Sequence, residues 1–375
     1  MDTHTVQDAT TLSSVWKYPV EAVGCVDCHQ VFLTPAGNEK SNCPICGSIN
    51  LSSQTSWQRS DPPELLIPFN PGLYPNLTNI VKKFVDEVWL KADDFNTETL
   101  SARLRPVYWT QWLVDCKVQG HWKAEAGFYY QVKSSVDNFI QGQWTSTDHL
   151  ETRVRWENRL GQIQRAYQNI AAPAFSLHNR FLQMIGGYGN NPPQGYSPAS
   201  VGKAWILSPD LQPDEVWDAA LTAINQAASA EVQTACSASL IRNFYMEADY
   251  PSPNWTQMLM PVYISGYQDD EGQYHPVFIN GQTGQISGAR LASQRKGWQW
   301  ASILAGLGLI GLLAAILSFV AAAIFAPAAI LGTILIVLAI ILGLCAIIPA
   351  AAPWQWNRNQ NDLFTQKQKP MGNDH

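Results

Sequence analysis

Two C-x2-C pairs, Cys25-Val26-Asp27-Cys28 and Cys43-Pro44-Ile45-Cys46, stand fourteen residues apart. Four thiolates at this spacing suit one tetrahedral, structural Zn2+ ion. Iron in a rubredoxin-like site is the alternative. Each pair forms a knuckle whose backbone turns around the metal, and Gly47 after the second pair allows that turn. Tyr18 to Gly24 reads as a strand entering the first knuckle, and Ile49-Asn50-Leu51 as one leaving the second. Met1 to Ser14 has no basic region followed by an apolar core, so the secretory setting that disulfides need is missing from the reading. A ribbon this small cannot build a full core, so the metal would supply much of its folding energy. Cys116, Cys236 and Cys345 are scattered and read as small buried apolar side chains.

Such a ribbon can contact nucleic acid or protein. A nucleic-acid reader needs a basic face. Between Lys17 and Arg59 the bases Lys17, Lys40 and Arg59 are balanced by Glu21, Asp27 and Glu39, and the whole chain carries a formal charge of −6. A protein-contacting or purely structural ribbon is favoured, and nucleic acid is disfavoured as a partner. No catalytic residue is assigned. The sequence has no Gly-x-x-x-x-Gly-Lys phosphate loop, Gly-x-Ser-x-Gly elbow or His-Glu-x-x-His metal motif. Gly186-Gly187-Tyr188-Gly189 reads as a surface loop. His121, His149, His178 and His275 are dispersed and read as surface or strand residues, and Asp269-Asp270-Glu271 as solvated charge in a hairpin loop. The expectation is that the chain is not an enzyme.

At the other end, Ala301 to Ala350 contains no charged side chain. A membrane span needs about 20 apolar residues, so this block is long enough for two crossings. Helices over about 301–325 and 328–348 are expected, with Pro327 at the turn between them. Small residues recur at four-residue spacing, as in Ala301 and Ala305, Gly311 and Ala315, Ser318 and Ala322, and Ala339 and Gly343. They suit close helix packing within a hairpin or between copies, although Ala and Gly are also simply common in spans. Trp298 and Trp300 before the block, and Trp354 and Trp356 after it, read as interfacial anchors. Arg290, Arg295 and Lys296 flank one end, and Arg358, Lys367 and Lys369 the other. The charge rule then puts both termini and the soluble part in the cytoplasm. A re-entrant hairpin dipping into one leaflet is the alternative.

The polar stretch 52–64 reads as a linker and 65–290 as an α+β domain. Asn76 to Trp89 has helical spacing. Pro106 to Val114 and Gly127 to Val132 read as hairpin partners. Thr152 to Trp156 alternates as a strand, Asn158-Arg159-Leu160-Gly161 looks like a turn, and Ile163 to Ala171 returns; an amphipathic helix over Thr152 to Ile170 is the alternative, and the alternation at its start favours strands. Pro213-Asp214-Glu215 opens a helix expected to reach about Ile241. Asn254 to Tyr267, Tyr274 to Asn280 and Gln285 to Gly288 read as strands, with tight turns at Asn280-Gly281 and Thr283-Gly284. Leu104-Arg105-Pro106-Val107-Tyr108 and Leu259-Met260-Pro261-Val262-Tyr263 suggest a weak internal repeat, each following a helix and starting a strand. Most of the fifteen tryptophans read as core.

Several segments together resemble a family of bacterial membrane proteins of poorly characterised function. They are Leu66-Ile67-Pro68-Phe69, Trp89 to Phe95, Pro106 to Asp115, Met260-Pro261-Val262-Tyr263 and Val277-Phe278-Ile279-Asn280-Gly281-Gln282-Thr283-Gly284. Such chains often take names from primosomal helicases on the ribbon alone. The resemblance covers most of the chain and implies zinc binding and membrane attachment, with no catalytic residues. The combined expectation is a flexible N-terminus (1–17), a zinc ribbon (18–51), an α+β domain, a transmembrane hairpin (298–356) and a polar tail (357–375). Its role would be that of a scaffold or adaptor whose partners are the lipid bilayer and another protein or a second copy. The other readings are a nucleic-acid-associated ribbon protein at the membrane and an oligomeric assembly built from the hairpins.

Overall fold

The computed structural model describes residues 9–17, 19–37, 42–54, 62–140, 143–189 and 192–368. In chain order they form α1 (Ala9–Trp16), β1 (Val20–Cys25), β2 (Val31–Pro35), β3 (Leu51–Ser53), β4 (Leu65–Leu66), α2 (Leu77–Asp86), α3 (Thr97–Ala102), β5 (Arg105–Ile140) and β6 (Gln143–Pro173). Next come α4 (His178–Ile185), β7 (Gln194–Gly195), α5 (Pro198–Val201), β8 (Trp205–Leu207), α6 (Trp217–Ala235) and β9 (Leu240–Asp249). The series closes with β10 (Asn254–Gln268), β11 (Tyr274–Asn280), β12 (Ile286–Gly288), α7 (Gln294–Ala322) and α8 (Ala328–Gln368). The fold is mixed α+β, with a large sheet and two C-terminal apolar helices. It divides into two compact units.

The first unit comprises Met1–Trp109, Leu177–Ser208 and Leu259–His375. Its sheet path runs β12-β11-β10-β5-β8-β2-β1-β3. The cysteine-bearing strands are thus the end of a larger sheet. β2 pairs antiparallel with β8 at Phe32↔Leu207, and β8 pairs parallel with the start of β5 at Val107↔Trp205. One apolar cluster gathers Leu12, Trp16, Val20, Leu33, Leu66, Tyr108, Ile206 and Leu259. Leu12 and Trp16 lie one helical turn apart, so α1 buries a face there. Residues 1–8, and 55–61 of the expected linker, lie outside the described residues, while Ser52 and Ser53 belong to β3. A second cluster packs Val81, Phe84 and Val85 of α2 against Phe95, Tyr267 and Ile279.

The second unit comprises Thr110–Ser176 and Pro209–Met258. Here the expected turns give way to two very long strands. Pro106 to Val114 and Gly127 to Val132 are parts of the single strand β5, and Asn158 to Gly161 lies inside β6. The reason is cross-strand pairing of glycine with tryptophan. Trp122 pairs with Gly161 and Trp156 with Gly127. A Cβ on Gly161 would come 2.9 Å from the Trp122 ring, and one on Gly127 2.9 Å from the Trp156 ring. Each glycine makes room for an indole, and the glycine signature of a turn is instead that of a strand carrying a large cross-strand partner. α6 lays Ile224 and Ala228 on Cys116, Val118, Ile163 and Tyr167. It stops at Ala235 rather than near Ile241. Ser237 adopts φ +51° and Ala238 N–H bonds back to Gln233 O at 3.0 Å, a left-handed helix terminus. Leu240 and Ile241 open β9 instead. Leu259 lies within β10, behind β9 rather than directly after a helix, so the proposed repeat does not extend to its position in the fold.

α7 begins at Gln294, earlier than expected, because Ser293 Oγ accepts from Lys296 N–H at 3.0 Å. α8 continues past Ile348 through Pro349 and Pro353. Neither proline can donate a backbone hydrogen bond, so the carbonyls of Cys345 and Pro349 lose their intrahelical partners. The Pro349 carbonyl lies against Gly297 of α7, where an added Cβ would meet it at 2.4 Å. Gly297, Ala301, Gly308 and Ala315 form the buried stripe of α7.

Candidate metal centre and membrane junction

The backbone builds two matching knuckles. His29 N–H bonds to Cys25 O at 3.0 Å, and Gly47 N–H to Cys43 O at 2.9 Å. The residue after each pair is left-handed, His29 at φ +57° and Gly47 at φ +73°. The first knuckle tolerates a side chain there. At the second, a Cβ on Gly47 would come 2.4 Å from the Tyr274 ring, so only glycine fits.

The Sγ atoms of Cys25 and Cys46 are 3.5 Å apart, those of Cys28 and Cys43 3.6 Å, and all four lie within 4.8 Å of one another. A tetrahedron with bonds of about 2.3 Å has edges of about 3.8 Å, so the four sulfurs fit a metal ion of that size. The thiol of Cys43 donates toward Cys28 and draws its pKa down to about 5. That same bond and burial push Cys43 up, and burial pushes Cys46 up to about 11. Backbone N–H groups of Gln30, Ile45, Cys46 and Ser48 point at these sulfurs and favour their thiolates. A cation among the four would remove the proton sharing and satisfy the remaining charge.

The knuckles are tied to the sheet. Arg105 at the start of β5 donates to Asn42 O at 2.9 Å and Asn42 Oδ1 at 2.8 Å, one residue before Cys43, and its guanidinium lies 5.2 Å over the Trp205 ring. Tyr274 of β11 fills the space beside Gly47 and also covers Gly266.

The two apolar helices are long enough to cross a membrane: an 18-residue stretch within Gln294–Ala322 has a mean hydropathy of 2.6, and one within Ala328–Gln360 a mean of 3.0. Trp298, Trp300 and Trp354 are exposed, as anchors would be. Trp356 differs. It packs against the cluster around Phe84, and its indole N–H donates to Arg290 O at 2.6 Å. Asn357 holds Ala292 from the next position. Asp270, expected to be merely solvated, accepts from Ser293 Oγ at 2.8 Å and Arg295 N–H at 3.1 Å. Asp93 pairs with Lys296 at 2.7 Å, and Glu87 pairs with Arg290. The loop charges therefore seat the start of α7 on the sheet. Distance in sequence hides this, because Glu87 and Asp93 come from the α2–α3 connection and Asp270 from the β10–β11 turn. Lys369 lies outside the described residues.

Among the histidines, His178 is buried on α4 and accepts from Trp109 Nε1–H at 3.2 Å. His275 meets Asp269 at 2.9 Å. Cys116 is buried as expected, Cys236 is half-buried and Cys345 is exposed on α8. No protein-family model, curated protein or solved structure matches the chain.

Proposed function

We propose that the chain is a membrane-anchored zinc-ribbon adaptor that presents its soluble part on the cytoplasmic side. One observation carries the reading. The cysteine knuckles and the apolar hairpin are fastened to the same sheet, the first through Arg105 and Tyr274 and the second through Asp270, Trp356 and Asn357. A single Zn2+ ion would set the knuckles, with iron as the alternative metal. The basic flanks of the hairpin favour the cytoplasmic side. The second unit offers the docking element, since among the described residues β5 beyond Gly127 is paired only with β6 and keeps one edge open. The charges on this arm are mixed in sign, which favours protein over nucleic acid as the partner.

The test is crosslinking of the full-length protein in its native membrane, followed by mass spectrometry. It compares the parent, the Cys43→Ser/Cys46→Ser variant and a variant with the arm shortened at the Gly127–Trp156 rung. Crosslinks to one partner that disappear in the shortened form, with membrane retention and zinc content unchanged, support the adaptor. Crosslinks between copies alone favour the oligomeric reading, and salt-sensitive nucleic acid in the sample favours the third.

A further inference from the structure

A large cavity of the first unit is distinct from the cysteine cluster. About 790 Å³ lies between α2–α3 and the sheet, lined by Phe69, Tyr74, Ser101, Arg105, Lys203, Trp205 and Tyr263 among others. That volume is in the range that holds a small molecule. Phe69, Tyr74, Trp205 and Tyr263 give the cavity an aromatic wall. Among the described residues its charged lining is Arg105 and Lys203, with no carboxylate. The Ser101 hydroxyl is shut away from solvent without a hydrogen-bond partner among the described residues, although it stands on this wall. A buried hydroxyl with no partner is costly, so a ligand acceptor there would recover a loss already built into the fold. Tyr74 is 75 % exposed at the rim, and a large aromatic held open to water suits a ring-stacking surface.

We propose that this cleft binds a small anionic molecule carrying a planar ring, its acidic group facing Lys203 and Arg105 and its ring against the aromatic wall. The acidic group can be a carboxylate or a phosphate, since both satisfy two cations and a hydroxyl donor. Arg105 links the cleft to the knuckles. Its guanidinium is oriented by Asn42, next to Cys43, and by the Trp205 ring. Metal at the cysteines would therefore fix one wall of the cleft, and its removal would weaken ligand binding without any direct contact.

Calorimetry on the full-length protein in lipid nanodiscs, with empty nanodiscs as the blank, tests this with two matched pairs. Indole-3-acetate and tryptamine share a ring and differ in charge. AMP and adenosine differ by a phosphate. At least one anion should bind about tenfold or more tightly than its partner, and which one does distinguishes carboxylate from phosphate. Lys203→Gln and Tyr74→Ala change exposed side chains, so folding is expected to survive. Lys203→Gln should weaken the favoured anion about tenfold, and Tyr74→Ala by about fivefold. Zinc content and thermal unfolding report whether each variant folds. Equal binding within both pairs, absence of binding by either anion in the millimolar range, or unchanged affinity in folded Lys203→Gln protein would overturn the proposal.

Discussion

Asn357 uses both ends of its side-chain amide on the backbone of Ala292, accepting its N–H at 2.7 Å and donating to its carbonyl at 2.9 Å. The side chain thus imitates a neighbouring strand for a segment that Lys91 pairs from the opposite side. Asn357→Ala should strip two hydrogen bonds from this segment and cost about 2 kcal/mol. The loss should appear as faster amide exchange at Ala292 and its neighbours, with exchange in β10 unchanged.

Gly297 is the most crowded of the glycines in the hairpin. Gly297→Val should push α7 off Pro349 and lower the thermal midpoint of the detergent-solubilised protein by many degrees. Gly306→Ala is the matched control, since an added Cβ there meets nothing within 4 Å. It should be neutral or slightly stabilising, because alanine favours a helix by roughly 1 kcal/mol over glycine. Equal effects of the two substitutions would contradict the close approach.

Purified protein should carry one equivalent of metal by elemental analysis. Cys28→Ser or Cys43→Ser should abolish it, whereas Cys116→Ser and Cys345→Ser should retain it. Chelation should destabilise the sheet from β3 inward, because β1 and β2 connect the knuckles to β8. Protease cleavage within 20–53 that increases on chelation, ahead of cleavage in the second unit, is the expected pattern.

Burial holds the His178 imidazole down at about 4, from an ordinary value of 6.5. The unfolded chain therefore takes up this proton first as pH falls. The contribution is complete above pH 6.5, shrinks between 6.5 and about 4, and is fully lost below that. The difference corresponds to about 3 kcal/mol. In His178→Gln protein the fall in unfolding free energy between pH 7 and 4 should be shallower by that amount, measured against the parent in the same buffers.

The four-cysteine cluster was legible in the sequence because both knuckles are local, and each cysteine pair closes its own turn. The two long apolar helices were legible because composition alone distinguishes them. The long strands were not. Gly161 has the local character of a turn residue, and only its rung opposite Trp122 explains it. The same holds for Trp356. Its flank suggests an interfacial anchor, but its partner Arg290 lies 66 positions away. Local chemistry predicts what a residue can do, and long-range pairing decides which of those options is used.

The long hairpin of β5 and β6 has a consequence for its own opening. β9 supports β5 only as far as the Gly127↔Leu240 rung. Beyond it, Phe128 to Ile140 face Gln143 to Arg155 with no third strand among the described residues, over about 45 Å at 3.4 Å per residue. Two strands alone are marginal in water, so this stretch behaves as a zipper that opens from its tip. Amide exchange should slow rung by rung toward Gly127 rather than in one cooperative step. Any strand that adds to the open edge would halt the unzipping at the rung it covers, turning a gradient of protection into a single plateau.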